Sequence, residues 1–328
     1  MDHVLATDQL LTLALGAIAF GFYLLVKGGD WAIDGAVAVA ERAGLSKLFV
    51  GATILAFGTS VPELFASINA NLSGFPGLSL GNVIGSNIAN ILLVLGAVTI
   101  IVPIRTSSKA LNIDLLTMVG ASLILVALMQ GQVISQLAGF GLLAIVVVLV
   151  GYQYWSMQRQ GPAALDAIKT PETAPSQSTW LAILAIVGGI VALAVGSELL
   201  VAGAVTIGNV LSVPEAVIGL TVVAFGTSLP ELATCVLAAM KRETSMLVGN
   251  VIGSNTFNIL FIVGMTAGIK PIGVDSNLAG LELYGMLAVS VLLAVLLMVR
   301  LPLGRMFGIL AVISYLSFTI SQYLFAGQ

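Results

Sequence analysis

The chain has 328 residues, of which 59% are hydrophobic and 8% charged, with a mean hydropathy of +1.11. Soluble domains carry about 25% charged residues, so the composition excludes a soluble domain and places the protein in lipid. The net charge of −3 is too small to point to a partner, and there is no basic tract for nucleic acid. The single cysteine, Cys235, excludes an internal disulfide or a multi-cysteine metal cluster, and the single histidine, His3, argues against a histidine-based zinc or catalytic site.

Apolar runs of about 20 residues, the length that crosses a bilayer core, recur from end to end. Ten spans are expected, near 8–28, 48–72, 80–102, 111–130, 135–157, 180–203, 217–240, 248–268, 281–299 and 305–325. The opening Met-Asp-His lacks the basic region of a secretory signal, so the first run is expected to be retained as a span. Segments 29–43 and 204–210 are candidate helical continuations of the first and sixth spans. Between the fifth and sixth spans lies a polar stretch, 157–179, containing Pro162, Pro171 and Pro175. It reads as a linker between a first half, 1–156, and a second half, 180–328, and is too short for a folded regulatory domain.

Lysine and arginine placement sets the orientation. Arg42, Lys47, Arg105, Lys109, Arg159, Lys169, Lys241, Arg242, Arg300 and Arg305 fall on one side of the ten-span scheme, and only Lys270 falls on the other. Lys27, at the end of the first span, is left out of this comparison. The bias predicts a cell membrane protein with a cytoplasmic linker and both termini outside.

An internal repeat organises the spans. Residues 53–63 read TILAFGTSVPE and 221–231 read TVVAFGTSLPE; 81–92 read GNVIGSNIANIL and 249–260 read GNVIGSNTFNIL. A single offset of 168 residues relates all four blocks, and it also pairs Gly28 with Gly196, Gly35 with Gly203 and Gly51 with Gly219. Five spans per half is an odd number, so the second half must be inverted relative to the first. Inverted repeats with interrupted helices and a midplane site are common in secondary transporters. The expected fold is an all-α membrane protein of ten transmembrane helices in two inverted five-helix repeats, with interrupted helices at the centre.

In the first repeated block, Pro62 removes a backbone donor inside an apolar span and disrupts the helix. Irregular backbone at membrane depth is tolerated where it is buried in protein or lines a cavity, and its carbonyls are hard ligands for sodium or calcium. Thr59 and Ser60 add hydroxyls and Glu63 a carboxylate; Thr227, Ser228 and Glu231 repeat the set. A purely structural reading exists, because Ser60-x-x-Glu63 and Ser228-x-x-Glu231 also match a capping box. Against it, an acid at the membrane centre costs about 2.5–3.5 kcal/mol or more, and a cap can be made by serine alone. Two such acids in matched positions imply a visiting cation.

In the second block, Gly81 with Gly85 and Gly249 with Gly253 form small-xxx-small faces for close helix approach. Ser86 and Asn90 share one helix face, as do Ser254 and Asn258, either as interhelical hydrogen-bonding groups or as cation ligands. Asp30, Asp34 and Glu198 read as membrane-interface or access-path residues, Cys235 as a small packing residue, and Lys241 and Arg242 as topology markers.

These paired GTS-x-PE and GN-x-x-GSN motifs resemble those of the calcium/cation antiporter superfamily, most closely its sodium/calcium exchanger branch, and the resemblance spans nearly the whole chain. It implies that Glu63 and Glu231 bind calcium and sodium in competition. Thr59, Ser60, Ser86, Asn90, Thr227, Ser228, Ser254, Asn258 and the backbone carbonyls of Ala56 and Ala224 would complete the site. It also implies that the first and sixth spans slide across the core to alternate access. Many members carry aspartate at the position of Asn258. With asparagine there, the site offers at most two negative charges, which one calcium, two sodium ions or two protons neutralise.

Two facing carboxylates titrate as a coupled pair, so proton coupling on the same scaffold is the rival to sodium coupling. A channel is disfavoured by the lack of a filter-like repeat, and an enzyme by the lack of a nucleophile–base pair or a metal with histidines. The expected partners are therefore calcium and sodium, or protons, within the lipid bilayer, with no cofactor beyond the transported ions and with a monomer sufficient for transport.

Overall fold

The computed structural model describes residues 2–105, 110–159, 178–211, 224–274 and 280–325. The first helix, α1, runs unbroken over Asp2–Ala43, which absorbs the expected continuation at 29–43. It is followed by α2 (Lys47–Thr59), α3 (Val61–Leu72), α4 (Pro76–Ile101), α5 (Ala110–Leu128) and α6 (Gln136–Arg159). The second half brings α7 (Thr179–Val210), α8 (Ala224–Thr227), α9 (Leu229–Met240), α10 (Thr244–Ile269), α11 (Leu281–Met298) and α12 (Arg305–Phe325). The linker core at 160–177 and the start of the span expected at 217–240 lie outside the described residues.

Six described helices are individually long and apolar enough to cross a bilayer, and α2 with α3, bent by 44° at their junction, pass the same test taken together. Shorter apolar helices occupy the remaining expected positions at Leu229–Met240, Glu282–Met298 and Arg305–Ser321. Burial is distributed as a bilayer dictates. Leu13 and Phe22 on α1, Val147 and Val148 on α6, Val187 on α7 and Leu310 on α12 are exposed, while α4 and α10 are mostly or almost wholly buried. Apolar side chains on the outer surface have lipid as their solvent, which leaves the centre free for polar groups.

Helices α1 and α7 pack against one another along their length. A Cβ on Gly21 would lie 2.6 Å from the Gly196 carbonyl oxygen, one on Gly28 would lie 2.8 Å from that of Gly189, and one on Gly35 would lie 2.6 Å from that of Ala182. Gly203 meets the Ala14 carbonyl in the same way. Contacts that advance by seven residues on α1 retreat by seven on α7, so the two helices are antiparallel. The 168-residue offset carries Ala14, Gly21, Gly28 and Gly35 onto Ala182, Gly189, Gly196 and Gly203, so each contact has a partner with the two helices exchanged. Small residues permit this approach because helix association in lipid depends on van der Waals packing.

The same device operates in the core. A Cβ on Gly249 would strike the Leu48 carbonyl and one on Gly253 the Ala52 carbonyl, pressing α10 onto α2. A two-stranded antiparallel ribbon, β1 (Val133–Ile134) with β2 (Ile272–Gly273), ties the α5–α6 connection to the segment after α10.

Several basic residues acquire partners. Lys47 Nζ lies 2.7 Å from Glu243 Oε1, and Lys241 Nζ lies 3.0 Å from Asp30 and 2.7 Å from Asp34. Arg42 Nη1 donates to Thr179 Oγ1 at 3.5 Å, beside the linker. Lys241 is thus more than a topology marker, and Asp30 and Asp34 are ion-pair partners joining α1 to the end of α9. Lys270 sits apart from these groups, exchanging backbone-carbonyl hydrogen bonds with Asn71 at 2.8 and 3.2 Å.

Substituting Gly28→Val should destabilise the protein by about 1–3 kcal/mol, the cost of overpacking a close contact. Gly16→Val on the same helix meets nothing within 4 Å and should change stability by less than about 0.5 kcal/mol. Thermal unfolding in detergent checks the pair.

Candidate functional site

The site begins at two helix breaks. Ser60 separates α2 from α3 with φ −83° and ψ 5°, and Ser228 separates α8 from α9 with φ −87° and ψ 2°. Each following helix has proline at its start, where the missing N–H costs nothing. Glu63 and Glu231 fall in the first turns of these helices, where free N–H groups and the helix dipole favour negative charge. Neither serine side chain caps the helix that follows it, so the capping-box geometry is not formed. Instead, Ser60 Oγ reaches across the repeats and donates to Glu231 Oε1 at 3.4 Å. That separation exceeds the ~2.7–2.8 Å usual for a hydroxyl donor, so the two groups are adjacent but not closed onto one another.

Both carboxylates are buried, Glu63 at 1% and Glu231 at 2% exposure. They interact electrostatically with each other, and no described ion pair compensates either one. Thr59, Ser60, Ser86, Asn90, Ser228, Ser254 and Asn258 are buried as well, and Thr227 is half-buried. The Thr59 hydroxyl lies beside Glu231 and donates to the Leu55 carbonyl at 3.1 Å, so its oxygen lone pairs remain available. The Ala56 carbonyl accepts one bond, from Ser60 N–H at 3.2 Å, leaving its second lone pair. Ala224 opens α8; its side chain is outside the described set.

Asn90 and Asn258 each begin a π-helical turn, Asn90–Val94 and Asn258–Val263; such turns shift the hydrogen-bond register and recur at functional sites. Their amides are held by a crossed pair of bonds. Asn90 Nδ2 donates to Asn255 Oδ1 at 3.1 Å, and Asn258 Nδ2 donates to Asn87 Oδ1 at 3.1 Å. Each bond uses the nitrogen, so the oxygens of Asn90 and Asn258 are turned elsewhere. Asn87 and Asn255 are themselves tied down: Asn255 donates to the Asn87 carbonyl at 3.4 Å and Asn87 to Met286 Sδ at 3.5 Å.

Among the described residues, seven buried side-chain oxygens have no hydrogen-bond partner: Glu63 Oε2, Glu231 Oε2, Asn90 Oδ1, Asn258 Oδ1, Ser254 Oγ, Asn250 Oδ1 and Thr266 Oγ1. Five of these belong to residues singled out in the repeated motifs. An unsatisfied buried polar group costs about 1–3 kcal/mol, more if charged, so such concentration is not explained by packing. Two carboxylates with neutral oxygens match the hard, oxygen-only preference of sodium and calcium. No cluster of three or more His, Cys, Asp or Glu that could hold a metal occurs among the described residues, which sets this centre apart from a carboxylate-rich or zinc-type site.

Sequence reasoning missed the orienting asparagines Asn87 and Asn255. It also missed Asn82, whose Nδ2 donates to the Glu63 carbonyl at 3.2 Å and to Ser67 Oγ at 2.9 Å. Its repeat partner Asn250 donates to Cys235 Sγ at 3.4 Å, and Cys235 occupies the position that Ser67 holds in the first half. A signal was present, since both asparagine pairs recur at the 168-residue offset inside otherwise apolar helices.

A family model described as "Sodium/calcium exchanger protein" matches residues 13–155 and again 181–324, each half separately. The putative antiporter CaxA of Alkalimonas amylolytica is 36% identical over 290 residues, 88% of this chain and 90% of the relative. The sodium/calcium exchanger MaX1 of Methanosarcina acetivorans is 28% identical, covering 95% of this chain and 99% of its own length. Among solved structures, the sodium-calcium exchanger NCX_Mj soaked with zero Na+ and Ca2+ superposes with a TM-score of 0.80 at 32% identity, covering 95% of this chain and 99% of that one.

Replacing Asn87 or Asn255 by leucine keeps the branching of the side chain but removes the acceptor, which frees the amide of Asn258 or Asn90 to rotate. Each change should weaken cation binding by about 10–100-fold, as loss of a ligand-orienting group does; equilibrium binding of radiolabelled calcium to purified protein reads this directly.

Proposed function

The chain belongs to the sodium/calcium exchanger protein family, and we propose that it is a secondary antiporter exchanging calcium for sodium by alternating access through one central site. The observation that carries this reading is the set of unpartnered buried oxygens around two uncompensated glutamates. In this proposal Glu63 and Glu231 bind both ions in competition. Thr59, Ser60, Ser86, Asn90, Thr227, Ser228, Ser254, Asn258 and the carbonyls of Ala56 and Ala224 supply the neutral oxygens. No enzymatic step and no resident cofactor are involved, and one copy of the chain suffices.

The proposed architecture is ten transmembrane helices in two inverted repeats, 1–156 and 180–328, joined by a cytoplasmic linker at 157–179, with both termini outside the cell membrane. The antiparallel α1–α7 pair and the separate family match of each half support it. Because α1 and α7 interlock, they move as one body past the core. Lys241, paired with Asp30 and Asp34, joins that body to α9 at one end.

Charge compensation provides the coupling. An empty site with two bare carboxylates resists enclosure in a low-dielectric interior; one calcium or two sodium ions remove that penalty, whereas three sodium ions would leave a charge of +1. Asn258 fits this count, because its amide donates to Asn87 as an ionised aspartate could not. Exchange is therefore electroneutral. A second reading, proton-coupled exchange, is favoured by the mutual interaction of the same two carboxylates, since two protons compensate the site equally well.

Calcium uptake into proteoliposomes separates the two readings: a sodium gradient drives it in the first and a pH gradient drives it in the second. Glu63→Gln and Glu231→Gln should each abolish uptake under either gradient, and full activity in both variants would remove the site assignment. With wild-type protein, the uptake rate should not depend on a clamped membrane potential. Lys241→Met removes two partly exposed ion pairs, so it should change the exchange rate by no more than about fivefold and leave equilibrium calcium binding unchanged.

A further inference from the structure

We propose that Asp114 forms a second cation site, specific for a monovalent ion and separate from the Glu63/Glu231 centre, in a cavity behind α10. Asp114 lies one turn into α5 and is only 8% exposed. Its Oδ1 accepts a hydrogen bond from Gln153 Nε2 on α6 at 2.6 Å, and no lysine or arginine pairs with it among the described salt bridges. Acid, amide and the neighbouring helices line a pocket of about 20 Å³ between α2, α5, α6 and α10. That is room for one water-sized guest and no more.

The remaining polar wall consists of Thr117 and Thr256. Each hydroxyl proton is committed to a backbone carbonyl four residues earlier, at 2.8 Å to Ile113 and 3.0 Å to Ile252. What the two threonines can offer a guest is therefore oxygen lone pairs. Beyond these groups the described lining from α2, α6 and α10 is aliphatic, aromatic or glycine, and Asp114 is the only titratable side chain among the described lining residues. A buried carboxylate with no counter-charge, beside a pocket whose lining residues include two threonines, suits a cation. A monovalent ion neutralises it, whereas a divalent ion would leave net positive charge in an apolar surround, where charge is costly.

Helix α10 connects this cavity to the central site. Gly253 and Thr256 line the cavity, while Asn255 and Asn258, on the same helix, enter the crossed amide pair. A cation on Asp114 thus sits behind the helix that orients half of the central oxygens. The chemistry is shared by sodium and by a proton on the carboxylate, and the experiment distinguishes them.

The test uses the full chain carrying Glu63→Gln and Glu231→Gln, so that binding at the centre, and any failure of the exchanger reading, cannot contribute. If sodium is the occupant, purified protein binds one radiolabelled sodium ion per chain, and adding Asp114→Asn eliminates it. Thr256→Val, which keeps the shape, weakens it by about tenfold, in the manner of a lost supporting ligand. If a proton is the occupant, sodium does not bind, but infrared spectra show a protonated buried carboxyl band that Asp114→Asn removes and alkaline buffer bleaches. Absence of both sodium binding and an Asp114-dependent carboxyl band overturns the proposal. Should Asp114→Asn fail to fold, Thr256→Val decides for sodium, and Gln153→Leu decides for the proton through a shift of the carboxyl band; unchanged signals in both again overturn it.

Discussion

Two carboxylates buried together without a basic partner constrain everything else in this molecule. In lipid such a pair is costly, so its charge must be eased and the shape around it held. The helix breaks at Ser60 and Ser228 answer the first need, since each puts a glutamate in the first turn of a new helix, where backbone N–H groups face negative charge. The crossed asparagines answer the second, fixing two amides so that their oxygens stay unpaired rather than collapsing onto the nearest donor.

The outer helices can then be almost featureless. α5, α6 and α11 expose mostly apolar side chains, and several of their polar residues are locally satisfied, as with Thr117, Ser122 and Ser290, each bonded to the carbonyl four residues before it. Asp114 departs from this pattern, because its partner Gln153 comes from a different helix. The polarity that remains is concentrated where α3, α4, α9 and α10 meet, and that concentration gives the molecule an inside.

Much of this was legible in the sequence, because two kinds of signal are local. Proline within an apolar run announces a broken helix, as at Pro62, and a repeated block announces a paired site, as at Glu63 and Glu231. The continuity of α1 through residue 43 was legible only as a candidate, since Lys27, Asp30 and Asp34 lower the hydropathy without interrupting the helix. What could not be read were relations between distant residues. Spacing puts Ser86 and Asn90 on one face, but it does not say that Asn255, 165 residues away, receives the Asn90 amide. Nor does it say that Lys241 will find Asp30 and Asp34, or that Asp114 will find Gln153, because those pairings arise from helix packing rather than from chain order.

The exchange of contacts between matched halves has a consequence for how the binding centre is owned. Asn90 is aligned by Asn255 from the other half, Asn258 by Asn87, and Glu231 receives the hydroxyl of Ser60. Both π-turn asparagines and one oxygen of Glu231 are thus held from the opposite half. The two halves are therefore less like two hands closing on an object than like a lock cut across the keyway, where any slip along the cut misaligns both sides at once.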